Sequence, residues 1–541
     1  MVRPVLAPHV APPERLLLAG ITLYALLVPL MLALRWPMGF DEGWHVLFAE
    51  LPIGRAIGEF RLDAHPPLSY LLLRPLAALG VTPVWPRLLS VLPSAVQPWL
   101  LFLLVRRLGV GGPVAIVTAF VFAVSFSFAE VSVPVRAYSL ATLFVLLSLI
   151  SWVDFVRSGA PSAAWRFTIF SVLAVWTEYP SAFVSAALLT STALLAARAP
   201  RLRSRVFSPR IARPALAFAA GHLGALVYWA TTYGRGGLPH LDPWFLQPGS
   251  SWTGFLAGGS LSILRTFTPL GFGADSLGYT ALLVLCVGWG AIFAASRGGE
   301  DGTLRRTILL TLALVWITLF ALGVAGAYPF GGLPRQQYVL FPLLIVTGAI
   351  GLDRALATLP WGMRLAVLAF VPLVAVGTAA LSFQRHPVAE RSLWVEIGPS
   401  LFDAKDRDRP LLLGNYAFIG LYGGHRSLGW RYVGTVRGEL ERFEVGGENP
   451  WTVYRHRGSW MVPPVGNPGF YDAARVILEE TSADTLLAFT PRQGAEPFER
   501  RRARGTKVAR AYARAGLEVE SWRPIWDGEI LELAPRRGVA R

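Results

Sequence analysis

Charge is sparse in this chain. Charged residues make up 16% of its 541 positions, against about 25% in a soluble domain. That shortage excludes an ordinary cytosolic enzyme, and a hydrophobic content of 53% excludes a disordered chain. Cysteine occurs once, at Cys286, which excludes an internal disulfide. Lysine occurs only at Lys405 and Lys507, so nearly all of the 50 basic residues are arginine. Asparagine is scarce too, a bias that fits a GC-rich genome as well as any functional demand. Residues 385–541 hold no Gly-rich phosphate loop, no metal-spaced Cys/His set and no G-x-S-x-G elbow. The chain shows no repeat of fixed period.

Long apolar runs are abundant. They recur through the first 384 residues and are long enough to span a bilayer. The first, Arg15 to Leu34, precedes Arg35, Trp36 and Pro37 rather than a small-residue cleavage pattern, and reads as a retained helix. Further spans are expected near 88–105, 112–129, 138–156, 166–179, 181–197, 214–232, 277–296, 307–327, 338–352 and 363–382. The expectation is an α-helical polytopic membrane domain of about eleven transmembrane helices.

Arginine placement orients the spans. Residues 1–384 carry 26 basic and 14 acidic residues, while 385–541 carry 24 and 20. The excess thus lies in the membrane part, where the positive-inside rule puts it. Nucleic-acid binding, which needs a basic stripe on a soluble surface, is a poor explanation. Arg106, Arg107, Arg157, Arg198, Arg201, Arg203, Arg205, Arg210, Arg297, Arg305, Arg306, Arg354 and Arg364 fall in the even connections. This predicts a cytoplasmic N-terminus in a cytoplasmic (inner) membrane, and an odd helix count then puts residues from about 385 onward outside.

Two outer loops, about 35–87 and 233–276, are long and rich in Pro and aromatics. Loops of that length in a compact protein are usually functional or disordered. Residues 43–58 read as helix lying on the membrane interface. After residue 385 the pattern changes. Leu411–Leu413 reads as a strand, Tyr471–Glu480 as a helix, Thr485–Phe489 as a strand and Val508–Ala515 as a helix. Strands near 518–522 and 529–533 follow. The alternation predicts a C-terminal extracytoplasmic α/β domain, and hence two domains, 1–384 and 385–541.

Acids cluster just after the first span, at Asp41, Glu42, Glu50, Glu59 and Asp63. A carboxylate against a bilayer is costly unless it pairs, binds a cation or faces water. In Gly39-Phe40-Asp41-Glu42-Gly43-Trp44-His45, one acid could act as a general base while its neighbour binds a cation or a sugar hydroxyl. A helix would place Asp41 and His45 on one face. The plainer alternative makes Asp41 the N-cap of an interfacial helix, with Glu42 favoured by the dipole. His65 precedes Pro66 and Pro67, which fix the backbone beside it. It could ligate a metal, contact phosphate or orient an acid; the plainer alternative is a surface histidine at a turn.

An acidic pair after the first helix, then His65-Pro66-Pro67-Leu68-Ser69-Tyr70, resembles the GT-C membrane glycosyltransferases. The similarity is greatest to the bacterial branch related to protein O-mannosyltransferases and the aminoarabinose transferase of lipid A. Arg87-Leu88-Leu89-Ser90, Val135-Arg136-Ala137-Tyr138-Ser139-Leu140 and Pro334-Arg335-Gln336-Gln337-Tyr338 with Pro342 resemble that group's later segments. The resemblance covers about 1–384; residues 385–541 match no family pattern.

The resemblance implies a polyprenyl-phosphate sugar donor, its tail in the membrane lipid and its phosphate at the outer surface. It places the general base on Asp41, with Glu42 as partner. His65 falls where relatives carry a basic or polar residue. Arginine offers a planar fork to phosphate oxygens, which suits Arg136 and Arg335, although each could simply snorkel to head groups. Tyr138 and Tyr338 could donate to phosphate or sugar, or serve as interfacial aromatics. Glu178, in an outer Glu178-Tyr179-Pro180 turn, could touch acceptor or cation, or be an ordinary turn acid. His240, Asp242 and Trp244 are weaker candidates for a sugar site. A divalent cation such as Mg or Mn, on Asp41, Glu42 and His65, is compatible with the donor types. The acceptor could be glycan, lipid or protein. A transporter or flippase would instead place ionisable groups at mid-bilayer, and a non-catalytic scaffold would leave the acidic loop idle.

Overall fold

The structure is a computed structural model. It describes residues 10–60, 65–232, 251–266, 288, 299–331, 334–385, 398–399, 401–402, 406–447, 450–457, 468–491, 512–514, 517–525 and 528–535. The chain divides into two compact units. One comprises Met1–Leu34, Ile57–Leu72 and Arg87–His386; the other comprises Arg35–Ala56, Leu73–Pro86 and Pro387–Arg541. Two segments of the first long loop therefore fold with the C-terminal residues.

The described helices, in chain order, begin with α1 (Pro12–Arg35), α2 (Phe40–Glu50), α3 (Ile53–Phe60), α4 (Leu68–Ala77), α5 (Val84–Arg107), α6 (Gly112–Val124), α7 (Phe126–Ser132) and α8 (Tyr138–Ser158). They continue with α9 (Pro161–Thr177), α10 (Ser181–Ala196), α11 (Pro200–Val206), α12 (Ala212–Thr232), α13 (Trp252–Thr266), α14 (Gly299–Val324), α15 (Phe341–Ala357) and α16 (Trp361–Arg385). The last two are α17 (Asn415–Gly424) and α18 (Pro468–Thr481). Proline at the first turn opens α6, α9, α11 and α15, where its missing N–H costs nothing. Gly159, at φ +66°, closes α8 in the left-handed conformation.

Among the described residues, six helices are long and apolar enough to cross a membrane: Pro12–Arg35, Val84–Arg107, Tyr138–Ser158, Pro209–Thr232, Asp301–Val324 and Gln337–Ala357. The chain is a mostly helical membrane protein. Shorter apolar helices include Gly112–Val124, Ser181–Ala196 and Trp361–Gly377. The run expected at 112–129 is broken: α6 stops at Val124, and the Ser125 hydroxyl accepts from Phe128 N at 3.2 Å to start α7. The span expected at 277–296, with Cys286, lies outside the described residues apart from residue 288.

The helical unit packs around buried Leu101, Phe102, Phe122, Leu146, Trp152 and Leu343. Its arginine-rich connections meet at one end. Arg107 pairs with Asp154 at 2.9 Å and Arg157 with Asp301 at 2.5 Å. Buried Arg305 donates to the carbonyls of Leu108 and Gly109. Three of the connections expected on one membrane side thus share one end of the bundle.

The second unit is built on a seven-stranded mixed sheet, ordered β2-β3-β4-β1-β5-β7-β6. The strands are β1 (Leu411–Gly414), β2 (Trp430–Arg437), β3 (Leu440–Val445), β4 (Trp451–His456), β5 (Leu486–Pro491), β6 (Leu517–Ile525) and β7 (Gly528–Pro535). Central β1 is parallel to β4 and β5; the other pairs are antiparallel. Leu411, Leu412 and Leu413 are all buried, as a strand covered on both faces requires. Leu412, Tyr454, Leu486 and Leu531 pack with Phe470, Ala474 and Ile477 of α18. The α/β character expected after residue 385 is present. Strands β2 to β4 and helix α17 are additions to it, and the helix expected at 508–515 lies outside the described residues except for 512–514.

Helix α2 belongs to this second unit. The 43–58 segment is two helices, not one, because Leu51 is extended and Pro52 follows it.

Candidate active site

Within the helical unit the sequence candidates converge. Pro66 and Pro67 lead into α4 and leave His65 buried at 6% exposure. Its Nδ1 lies 2.6 Å from Glu178 Oε2, and its Nε2 lies 3.3 Å from Arg136 Nη1. A guanidinium can only donate, so Nε2 accepts and Nδ1–H donates to the carboxylate. The hydrogen bonds thereby fix one tautomer: Arg136 to His65 to Glu178. The Tyr138 ring stands edge-on to the imidazole at 5.5 Å. Glu178 is therefore more than a turn acid, and His65 is not a surface residue.

Each member is held by local structure. Glu178 ends α9 with its N–H on Ala174 O at 2.8 Å, and its carbonyl accepts from Ser181 N. The backbone before α8 is gripped from α5. Ser90 Oγ donates to Pro134 O at 2.6 Å and receives Arg136 N at 3.3 Å. Ser94 Oγ donates to Ser139 Oγ, and Gln97 Nε2 to Ser139 O at 2.7 Å. Arg87, fully buried, donates to Ala33 O at 2.7 Å. Ser90, with Ser94 and Gln97 on the same helix, is thus the support on which the Arg136 backbone rests, a role that the sequence pattern does not reveal.

Tyr138, Thr142, Glu178, Pro180, Tyr338 and Pro342 line one narrow cleft in this unit, with a water-accessible volume of about 10 Å³. That is room for roughly one water molecule. Tyr338 is 2% exposed in a 3-10 turn, next to Gln337, whose amide donates to Pro329 O at 2.7 Å. Arg335 lies in the same turn, but its side chain is outside the described residues. Asp63, His240, Asp242 and Trp244 are also outside them, as is the side chain of Glu59.

The remaining candidates belong to the second unit. Gly39, not Asp41, is the N-cap of α2. Asp41 lies one residue inside the helix, half-buried, and its carbonyl faces His45 Nδ1 at 2.9 Å. Glu42 is buried, and its carboxylate receives the Gly39 N–H at 2.9 Å. It closes the first turn from the N3 position. Glu50 receives the Arg426 guanidinium and the Tyr422 hydroxyl. Glu42 and Glu50 therefore have structural partners. Among the described residues, no cluster of three or more His, Cys, Asp or Glu side chains is arranged for a metal.

This architecture, a mostly helical unit with apolar spans and a C-terminal sheet domain, is the GT-C fold. ArnT from Cupriavidus metallidurans, in its apo state, matches with a TM-score of 0.56 over 96% of this chain and 98% of that one, at 13% identity. The same protein bound to undecaprenyl phosphate gives 0.54 over the same shares at 13% identity. At that identity the likeness is one of fold. No protein-family model matches the chain, and no curated protein matches its sequence.

Proposed function

We propose that this protein is a membrane glycosyltransferase that moves a sugar from a polyprenyl-phosphate donor to an acceptor hydroxyl on the outer face of a bacterial cytoplasmic membrane. Asp41 removes the hydroxyl proton. The acceptor oxygen bonds to the anomeric carbon as the bond from that carbon to the phosphate oxygen breaks. The polyprenyl phosphate departs with the electron pair, and a single displacement inverts the anomeric centre. Phosphate is a stable leaving group, so one base suffices.

Arg136 and Arg335 stabilise the charge that develops on the phosphate, a role that can contribute a few kcal/mol per contact. His65 is held by Glu178 in the tautomer that accepts from Arg136, which aims the guanidinium. Tyr138 and Tyr338 supply hydroxyl donors. Glu42 acts beside Asp41 by closing the first turn of its helix. The residues beyond 385 are extracytoplasmic.

The observation that carries this reading is the buried Arg136–His65–Glu178 set, in a fold shared over nearly the whole chain with a protein solved with undecaprenyl phosphate. The imidazole, neutral in that tautomer, holds the Arg136 guanidinium in one orientation, and that guanidinium supplies the directed positive charge an anionic lipid donor needs.

The deciding experiment replaces Asp41 by Asn and measures transfer from undecaprenyl-phosphate-linked hexoses and pentoses in detergent. Loss of turnover with retained donor binding is expected. Wild-type turnover removes Asp41 from its role. Exhaustive chelation in the same assay decides whether an exchangeable cation is required. An alkaline phosphatase fused at the C-terminus is expected to be active in cells; an inactive fusion beside an active cytoplasmic reporter there reverses the orientation.

A further inference from the structure

We infer that Arg426 is a positioning residue, the latch by which the C-terminal domain holds the helix that carries Asp41; this rests on the glycosyltransferase reading above. Arg426 follows α17 and is 3% exposed. Its Nε donates to Glu50 Oε1 at 2.9 Å, and Nη2 joins the same carboxylate. Nη2 also donates to Ala77 O at 2.9 Å, and Nη1 reaches Thr82 O at 3.4 Å. One guanidinium thus gathers the last residue of α2, the last residue of α4 and the turn beyond it. The Tyr422 hydroxyl donates to the other oxygen of Glu50.

Two further contacts fix the same segment. Arg55, in α3, donates to Glu441 Oε1 through Nε at 2.8 Å and Nη2 at 2.6 Å. Glu441 is fully buried on β3 and also receives Arg455 Nη1 at 3.0 Å. At the other end of α2, Gly43 lies against α17. A Cβ on Gly43 would meet Ile419 O at 2.7 Å and Gly423 Cα at 3.0 Å, so only glycine permits this approach. Asp41 is two residues from that contact. Its backbone is therefore set by α17 on one side and by the Glu50–Arg426 pair at the helix end.

A rigid helix transmits both constraints to the Asp41 carboxylate. Proton removal tolerates little displacement of the base, and an error of about 1 Å can cost on the order of 100-fold in rate. Residues 411–456 are then part of the catalytic apparatus through α2, and need not touch either substrate to affect turnover.

The test uses the full chain in detergent micelles, with Arg426→Lys, Glu50→Gln and Gly43→Ala. Arg431→Ala, at an exposed pair with Glu444, is the control, and Asp41→Asn is the reference for loss of the base. Hydrogen exchange is followed in peptides covering residues 40–50 and 411–456. Transfer is assayed with undecaprenyl-phosphate-linked hexoses and pentoses. In the three latch variants, exchange at 40–50 should rise tenfold or more while the strands at 411–456 stay protected. Their kcat should fall at least tenfold with donor KM within twofold. Arg431→Ala should match the wild type in both. Unchanged exchange at 40–50 overturns the latch, and so does raised exchange with wild-type kcat. Wild-type turnover by Asp41→Asn, or no transfer by the unmodified chain, refutes the functional reading instead; exchange at 40–50 then decides alone whether Arg426 holds α2.

Discussion

Arg136 Nη1 lies 3.3 Å from His65 Nε2, and that contact fixes which ring nitrogen carries the proton. With Nε2 accepting, Nδ1–H must face Glu178 Oε2, 2.6 Å away. The three side chains come from the segment before α4, the segment before α8 and the end of α9. They behave as one unit because each hydrogen bond sets the next.

Such a unit should respond non-additively to mutation. Glu178→Gln can offer its amide as donor and so turn the imidazole toward the other tautomer, which would oppose Arg136. We expect Glu178→Gln and His65→Ala each to reduce kcat/KM for the lipid donor by about 100-fold, within the span ascribed to one electrostatic contact. The double variant should be no worse than His65→Ala alone. Steady-state kinetics of the three variants checks this, and multiplicative losses would mean that the two residues act separately.

Ser90 makes a second prediction, about positioning. Its hydroxyl holds Pro134 O and Arg136 N. Ser90→Ala leaves the buried Arg136 N–H without that acceptor, a loss of about 1–3 kcal/mol. Donor KM should rise together with a lowered melting temperature. Restoring the hydroxyl with Ser90→Thr should recover much of the KM effect, since the added methyl group is the smaller perturbation. A KM that follows neither variant would detach Ser90 from the site.

The sequence made some of this legible and not the rest, for physical reasons. Apolar runs bounded by Pro, Gly and Arg report helices directly, because proline at the first turn and glycine at the end act locally. Helices α1, α5, α6, α8, α9, α10, α12, α14, α15 and α16 lie on runs that predict spans, with the break at Ser125 hidden in an unbroken apolar stretch, whereas α4, α11 and α13 form in segments that read as loops or connections. His65, Arg136 and Glu178 stood out because prolines or turn residues flank them. The Arg426–Glu50 and Arg55–Glu441 pairs did not, since each joins residues more than 370 apart in sequence. No local pattern encodes such a pairing. Strand β2 is not legible because Gly434 and two arginines, Arg431 and Arg437, interrupt its alternation, and register shifts occur at Tyr432/Gly434 and Thr435/Arg437. Aspartate is a favoured N-cap residue type, so the sequence alone points to Asp41. The position went to Gly39 because Glu42 can reach back to the Gly39 N–H.

Glu441 offers a test of stability apart from activity. Its carboxylate is fully buried, with Arg55 and Arg455 as hydrogen-bonded partners and Arg457 at 3.7 Å. Removing one member of a buried ionic set costs about 3–5 kcal/mol, because the charges left behind stay desolvated. Glu441→Gln should therefore destabilise the sheet unit by that order, read as loss of hydrogen-exchange protection in β1, β3 and β4. Arg431→Ala, at a pair whose arginine is 73% exposed, should change it by less than about 1 kcal/mol. Equal effects would mean that burial of the Glu441 set carries no special weight.

The sheet unit should also lose stability at both ends of the pH scale. Burial lowers the pKa of His456 below its ordinary 6.5, with the nearby Glu439 charge opposing and Arg457 adding to the shift. The folded state then binds fewer protons than the unfolded one as pH falls below 6.5, so the His456 contribution is full above that value and is lost on acidification. At the other end, burial raises the Tyr422 pKa well above 10.0, reinforced by the Glu50 charge and hydrogen bond and opposed by Arg426. Burial raises Tyr454 as well. Unfolded tyrosine ionises near 10 while the buried rings do not, so this contribution is full below pH 10 and is lost as pH rises beyond it. Hydrogen exchange of the sheet amides, measured from pH 5 to 11 and corrected for intrinsic rates, should trace both declines. His456→Gln should flatten the acid limb and leave the alkaline limb in place. Tyr422→Phe should shift part of the alkaline limb upward, the remainder belonging to Tyr454. An acid limb that persists unchanged in His456→Gln would assign that loss to other groups.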